Sequence, residues 1–307
     1  MKHKNGFSLV EILVVITVLA TLTGILMPIL GRTREAARAV ACLNNARQMG
    51  SYLLITAAEN RGRLPASYTY RNSTDDSDGC VHWSAVVTGR ETTGAGDTIA
   101  KNISFKSDVF KCPNFTPDNT KSGMSGGWKP AHPDKDYQAG AMAYTANAVF
   151  MPRRAYASNE EHSRLVRLSS AEAPELEILI AEYTDKESRI MGSSASGGPG
   201  VKSHRPANGL GGAGIAWRGG EAAPGTGDFE MLKYDNMVAE AKNPSSTGDD
   251  LNYHLLYIGW DRHSGRSNYT FADGHAASHT LKETLDPKNY LWGKRVYAAG
   301  GQEIVEP

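Results

Sequence analysis

The feature that most constrains this chain is the long apolar run from Phe7 to Leu30, set near the N-terminus behind the basic residues Lys2, His3 and Lys4. At 1.5 Å per residue a helix of that length spans roughly 36 Å, enough for the ~30 Å hydrocarbon core of a bilayer. A secretory signal peptide has a shorter core and a small-residue cleavage site. Here Met27-Pro28-Ile29-Leu30 continues directly into GRTREAARAV, with no small-residue site at the end of the run. The sequence therefore predicts a spanning helix. One residue does not fit an ordinary anchor. Glu11 lies only a few positions into the run, and a carboxylate in hydrocarbon costs about 2.5–3.5 kcal/mol on insertion scales.

Beyond residue 30 the chain is polar, and its mean hydropathy is negative. Its 307 residues suffice for one sizeable domain plus an appendage. Lys plus Arg and Asp plus Glu number 33 each, so there is no global basic field to recruit nucleic acid. The 32 glycines predict a loop-rich body. Three cysteines, Cys42, Cys80 and Cys112, allow one internal disulfide, and no C-x-x-C pair is present. Neither a P-loop nor an H-E-x-x-H motif occurs, and there is no internal repeat.

Residues 31–62 continue the helical pattern. Ala36, Val40, Leu43, Ala46, Gly50, Leu53 and Ala57 recur at helical spacing, opposite Arg34, Arg38, Asn45 and Gln48. This weak apolar stripe needs a sheet to cover it. Asn60-Arg61-Gly62 with Pro65 beyond should stop the helix, and Pro28 should kink or loosen it. In the body, 143–150, 176–183 and 253–260 read as strands, and the runs at 268–271 and 275–281 flank Asp273-Gly274. Asp-Gly between two such runs favours a tight hairpin in which both central residues take positive φ. Residues 71–101 and 191–228 read as long exposed loops. The expected fold class is α+β: a long N-terminal helix packed on an antiparallel sheet.

The segment Lys4-Asn5-Gly6-Phe7-Ser8-Leu9-Val10-Glu11 resembles the type IV prepilin signal, shared by type IV pilins and type II secretion pseudopilins. The resemblance implies a pilin-like fold and cleavage between Gly6 and Phe7 by a prepilin peptidase, with residues 1–6 as leader. It implies methylation of the new Phe7 amine and an assembly role for Glu11 and Pro28. It further implies packing with other pilin or pseudopilin subunits, 7–30 as the membrane and assembly helix, and residues 63–307 as a periplasmic body on the bacterial inner membrane. A second resemblance runs through His263, the nine residues Ser264 to Ala272, and Asp273-Gly274. It is to the H-X9-DG region of a large group of prepilin-type bacterial proteins. CLNNARQ (42–48), NRGRLP (60–65) and Lys111-Cys112-Pro113 resemble other elements of that group.

The remaining candidates are weighed against plainer readings. His263, Asp273, His275 and His279 include zinc-ligand types, yet Asp273-Gly274 serves a turn and His263 more simply bonds the hairpin. Asp75, Asp76 and Asp78 form an acidic turn that could hold calcium, as some pseudopilins do, but the EF-hand spacing is missing. No cofactor is otherwise expected. Two pairings are open to Cys112, with Cys42 or with Cys80, since the body would face an oxidising compartment. The favoured function is a non-enzymatic pilin-like subunit. The rivals are a glycan- or adhesion-binding module using Trp83, Trp128 and Trp217, with secreted proteins or envelope glycans as partners, and a tethered hydrolase at the His263/Asp273 region.

Overall fold

The structure is a computed structural model. It describes residues 8–70, 79–88, 107–118, 126–129, 135–152, 154–156, 165–194, 198–203, 205–211, 230–242, 253–294, 296–297 and 303–304. Gly6, Phe7, Asp75, Asp76, Asp78 and Trp217 lie outside the described residues.

One helix, α1 (Leu9–Glu59), runs 51 residues and passes through Pro28. At 1.5 Å per residue it is roughly 75 Å long. It starts with a capping box: the Ser8 backbone N–H donates to Glu11 Oε2 at 2.8 Å, and the Glu11 backbone N–H donates to Ser8 Oγ at 3.3 Å. Its first half presents apolar side chains to the outside all round, from Leu9, 81% exposed, to Leu30, 50% exposed. The polar side chains in that half bond inward. Thr17, Thr21 and Thr23 donate their hydroxyls to the carbonyls of Leu13, Thr17 and Leu19, so these three hydroxyls need no water. It is the one helix among the described residues long and apolar enough to cross a membrane.

The second half docks. Its buried residues are Cys42, Ala46, Met49, Gly50, Leu53, Thr56 and Ala57, and Ala36 and Val40 remain exposed. The covered stripe thus begins nearly two turns later than the apolar pattern alone indicates. The helix ends at Asn60, and the Gly62 N–H bonds back to the Ala57 carbonyl at 2.7 Å.

The strands among the described residues, in chain order, are β1 (Tyr68–Tyr70), β2 (Cys80–His82), β3 (Tyr144–Ala146), β4 (Arg154–Tyr156), β5 (Ile178–Glu182), β6 (Met191–Ser194), β7 (Gly198–Val201), β8 (Leu210–Gly211), β9 (Glu230–Met231), β10 (Ser267–Phe271), β11 (Ala276–His279), β12 (Val296–Tyr297) and β13 (Glu303–Ile304). The main sheet has the order β11-β10-β5-β3, with antiparallel neighbours throughout. The docked half of α1 lies across it. Thr270 Oγ1 donates to the Ala46 carbonyl at 2.8 Å, and the Tyr144 hydroxyl donates to the Cys42 carbonyl at 3.0 Å. The molecule is therefore a long N-terminal helix packed against an antiparallel sheet.

Several local expectations are corrected. Residues 253–260 contain a 3-10 turn, His254–Tyr257, followed by a single bridge from Ile258 to Tyr183. A short apolar run that is buried on all sides cannot be assigned by periodicity. In 143–150 the strand stops at Ala146, because the Asn147 side chain takes over the bonding and donates to the carbonyls of Ile178 and Trp292. Within 71–101, residues 80–87 form β2 and the short helix α2 (Trp83–Val87), both buried. Within 191–228, β6 pairs with β7, and β8 pairs with β9 beyond that segment.

The Asp273-Gly274 hairpin is also of another type. Its loop has three residues, Ala272 to Gly274. Gly274 N bonds Phe271 O, Phe271 N bonds His275 O, and of the central residues Gly274 alone has positive φ, at 90°. The two-residue turn with both φ positive occurs earlier, at Ser264 (55°) and Gly265 (84°), closed by reciprocal backbone bonds between His263 and Arg266.

Gly50 is where α1 meets the hairpin. A Cβ there would lie 2.6 Å from the Gly274 carbonyl oxygen and 2.8 Å from Thr270 Cγ2. Alanine in a helix interior gains about 1 kcal/mol over glycine, but a clash with fixed backbone costs about 1–3 kcal/mol. Gly50→Val forgoes most of the propensity gain and enlarges the clash. It is expected to lower stability by about 2–3 kcal/mol, read as a reduced denaturant midpoint for the full chain in detergent.

Candidate functional site

A buried polar cluster lies between α1 and the sheet. Its centre is Glu182, the last residue of β5, with no solvent exposure. Four donors converge on its carboxylate. Ser267 Oγ and the Asn268 backbone N–H donate to Oε2 at 2.9 and 3.0 Å. Asn268 Nδ2 and His263 Nε2 lie 3.2 and 2.8 Å from Oε1. Burial alone would raise the pKa of this acid. The His263 hydrogen bond, the Arg262 charge and the Asn268 backbone N–H outweigh it and hold the carboxyl below the usual carboxylate range.

Each side chain is delivered by a specific element. The two-residue turn at Ser264-Gly265 reverses the chain so that His263 precedes β10 and Ser267-Asn268 open it. Arg262 crosses the back of the cluster. Its guanidinium donates to the carbonyls of Ala143 and Tyr183 and lies 5.0 Å from the Phe115 ring centroid. From the other side, Cys42 of α1 and Cys112 form a disulfide with Cα atoms 5.3 Å apart. Of the two partners open to Cys112 in the sequence, the structure thus joins it to Cys42. Cys80 is buried and takes no part in the disulfide. Cys112 Sγ lies 3.8 Å from Glu182 Oε1 and 4.0 Å from His263 Nε2. Asn114 completes the ring: its Nδ2 is 3.1 Å from His263 Nδ1 and also bonds Glu35 Oε1 of α1.

Sequence reasoning singled out His263, Cys42 and Cys112 but not Glu182, Glu35 or Asn114. A usable signal existed for Glu182: it is the acid that ends a strand otherwise made of Ile178, Leu179, Ile180 and Ala181, all buried. The bond expected between His263 and the Asp273 hairpin is replaced by the bond to Glu182. Asp273 instead sits exposed at the hairpin tip, where its Oδ1 accepts from the His275 backbone N–H at 3.0 Å and lies 2.6 Å from His275 Nδ1. His275 stacks on Phe271, and His279 lies 3.5 Å from Glu283. A four-residue centre of His263, Asp273, His275 and His279 is therefore not assembled. Trp83 and Trp128 are 1% and 0% exposed, packed edge-on against Phe110 and Phe115. Neither can stack on a sugar, which withdraws two of the three aromatic residues from the glycan-binding reading.

Comparison with known proteins places one further observation beside this geometry. Residues 1–27 match the family described as the prokaryotic N-terminal methylation motif. No curated protein and no solved structure matches the chain.

Proposed function

We propose that the chain is a pilin-like structural subunit without enzymatic activity. In this reading it is anchored in the bacterial inner membrane, cut between Gly6 and Phe7 by a prepilin peptidase, methylated at Phe7, and assembled with related subunits into a type II secretion pseudopilus or a type IV pilus-like filament. The observation that carries the reading is the methylation motif on residues 1–27, joined to a helix that exposes its apolar first half and buries its second half against the body. The buried cluster supports a structural role, because Glu182 and His263 are 0% and 6% exposed and offer no open face to a substrate.

Glu11 has a defined task in this reading. In the single chain it closes the capping box with Ser8, an exposed arrangement worth about 1 kcal/mol. Inside a filament the same carboxylate would be buried among helices. Leaving a buried charge without its partner costs about 3–5 kcal/mol, so pairing with a neighbouring subunit's Phe7 amine outweighs the cap and fixes the register between subunits.

The test is co-expression with a prepilin peptidase, followed by intact-mass and N-terminal peptide analysis. The expected product begins at N-methylated Phe7, and Glu11→Ala is expected to be processed yet excluded from filaments. A chain that keeps residues 1–6 beside an active peptidase would overturn the reading.

A further inference from the structure

We propose that Cys42, Cys112, Glu182 and His263 are a two-state site: a disulfide when oxidised, and a tetrahedral site for a divalent cation of the zinc class when reduced. The inference rests on the body alone and stands apart from the filament reading. All four side chains are buried, and their ligand atoms lie within 4.8 Å of one another. Ligands placed about 2.0–2.3 Å from a zinc ion in a tetrahedron stand roughly 3.3–3.8 Å apart. The separations of Cys112 Sγ from Glu182 Oε1 and His263 Nε2, 3.8 and 4.0 Å, are near this value. The 2.8 Å between Nε2 and Oε1 is held short by a shared proton, and an ion taking that proton's place lets the pair open. Two thiolates, an imidazole and one carboxylate select zinc or cobalt over calcium, which takes oxygen ligands.

A second observation concerns the outer side of His263. A ligating histidine uses one ring nitrogen for the metal and donates from the other. Here Nδ1 faces Asn114 Nδ2 at 3.1 Å, whereas Asn114 Oδ1 is buried with no hydrogen-bond partner among the described residues. Rotation of this amide gives up the Asn114–Glu35 bond and brings the oxygen to Nδ1 as the acceptor a metal-bound imidazole needs. Glu35 Oε1, 3.9 Å from Nδ1 and on a half-exposed side chain, is a second acceptor and marks the solvent side of the cluster.

The chemistry balances. A dithiol reductant breaks the S–S bond, giving two electrons and two protons to Cys42 and Cys112 and closing to its own disulfide. The incoming cation then displaces two thiol protons to solvent. The His263 proton leaves Nε2 and is replaced at Nδ1, with no net change. Two thiolates and a carboxylate around a dication leave one net negative charge, and the Arg262 guanidinium, which already acts on Glu182, opposes it. Either state ties Cys42 of α1 to Cys112 of the body.

The experiment uses the full chain in detergent, reduced with a phosphine under anaerobic conditions and titrated with Co2+. The expected result is one Co2+ per chain, the absorption bands of tetrahedral cobalt–thiolate coordination, and two protons released. His263→Ala is expected to weaken cobalt binding at least tenfold, and Cys80→Ser to leave it unchanged. The deciding measurement needs no variant: in the reduced wild type, Co2+ should slow alkylation of Cys42 and Cys112 at least tenfold and leave Cys80 unaffected. Equal alkylation rates with and without Co2+, or protection of Cys80 instead, would overturn the proposal.

Discussion

Glu182→Ala is expected to cost the body about 3–5 kcal/mol, the range for removing one partner from a buried charged pair. The loss has a traceable origin. Ser267 Oγ, both nitrogens of Asn268 and His263 Nε2 all address this one carboxylate. With alanine there, four donors remain in a space that water does not reach, and each unsatisfied donor carries its own desolvation cost. Glu182→Gln separates charge from shape, and its signature is a dependence on pH. The Glu182 carboxyl is held below its ordinary value of 4.5 in the folded chain. A depressed carboxyl contributes stability above its unfolded pKa and loses that contribution as pH falls through the folded value. The gap in stability between wild type and Glu182→Gln should therefore be full at neutral pH and shrink below about pH 4.5. His82 and His254 act in a different window. Burial lowers both from 6.5 to about 3, so the unfolded chain takes up protons first and stability falls between those values in wild type and variant alike. Denaturant titrations from pH 7 down to pH 3 distinguish the two contributions. A gap independent of pH would show that the carboxylate charge does not hold the cluster.

The parts of this molecule legible in the sequence are those governed by local rules. The apolar run and the Asn60-Arg61-Gly62 stop fix both ends of α1. The alternating runs around Asp273-Gly274 fix the β10–β11 pair. What the sequence misassigned depends on partners far along the chain. Residues 253–260 are as apolar as a strand, but only the main sheet determines that Ile258 pairs opposite Tyr183 in a single bridge and that His254–Tyr257 curls into a 3-10 turn. Ser264-Gly265 takes the two-residue turn expected of Asp273-Gly274, since an isolated dipeptide does not reveal which of two neighbouring reversals is tighter. The buried cluster was least legible. Its members come from α1, the segment after Phe110, the end of β5 and the start of β10, and no spacing rule connects them. Yet Glu11 and Glu182 share one warning sign, a single acid in an apolar segment. In each, the carboxylate is tolerable only where donors are brought to it.

Removing the disulfide with the double substitution Cys42→Ser and Cys112→Ser is the other change of large expected effect. The two cysteines are 70 positions apart, and closing a loop of that size restricts the unfolded chain by about 4 kcal/mol at 25 °C. The loss should not fall evenly. Cys42 is the first buried residue along α1, whereas Met49, Leu53 and Ala57 hold the helix further on by packing. Around and before Cys42, individual hydrogen bonds hold the helix among the described residues: Asn114 to Glu35, Asn268 to the Ala39 carbonyl at 3.4 Å, the Tyr144 hydroxyl to the Cys42 carbonyl at 3.0 Å, and Asn45 to the Lys111 carbonyl at 2.9 Å. Without the staple, helix amides around residues 38–46 should exchange hydrogen well before those around 49–57, and the global unfolding midpoint should drop by an amount equivalent to about 2–5 kcal/mol. A uniform rise in exchange along the docked half would show instead that packing and staple act as one unit. The position matters because α1 leaves the body at this point. Any load carried by the exposed half, whether from a bilayer or from neighbouring helices, enters the body at Cys42. A covalent or metal link placed there resists peeling from the end at which peeling starts, whereas the same link near Ala57 would leave the first two docked turns to open freely.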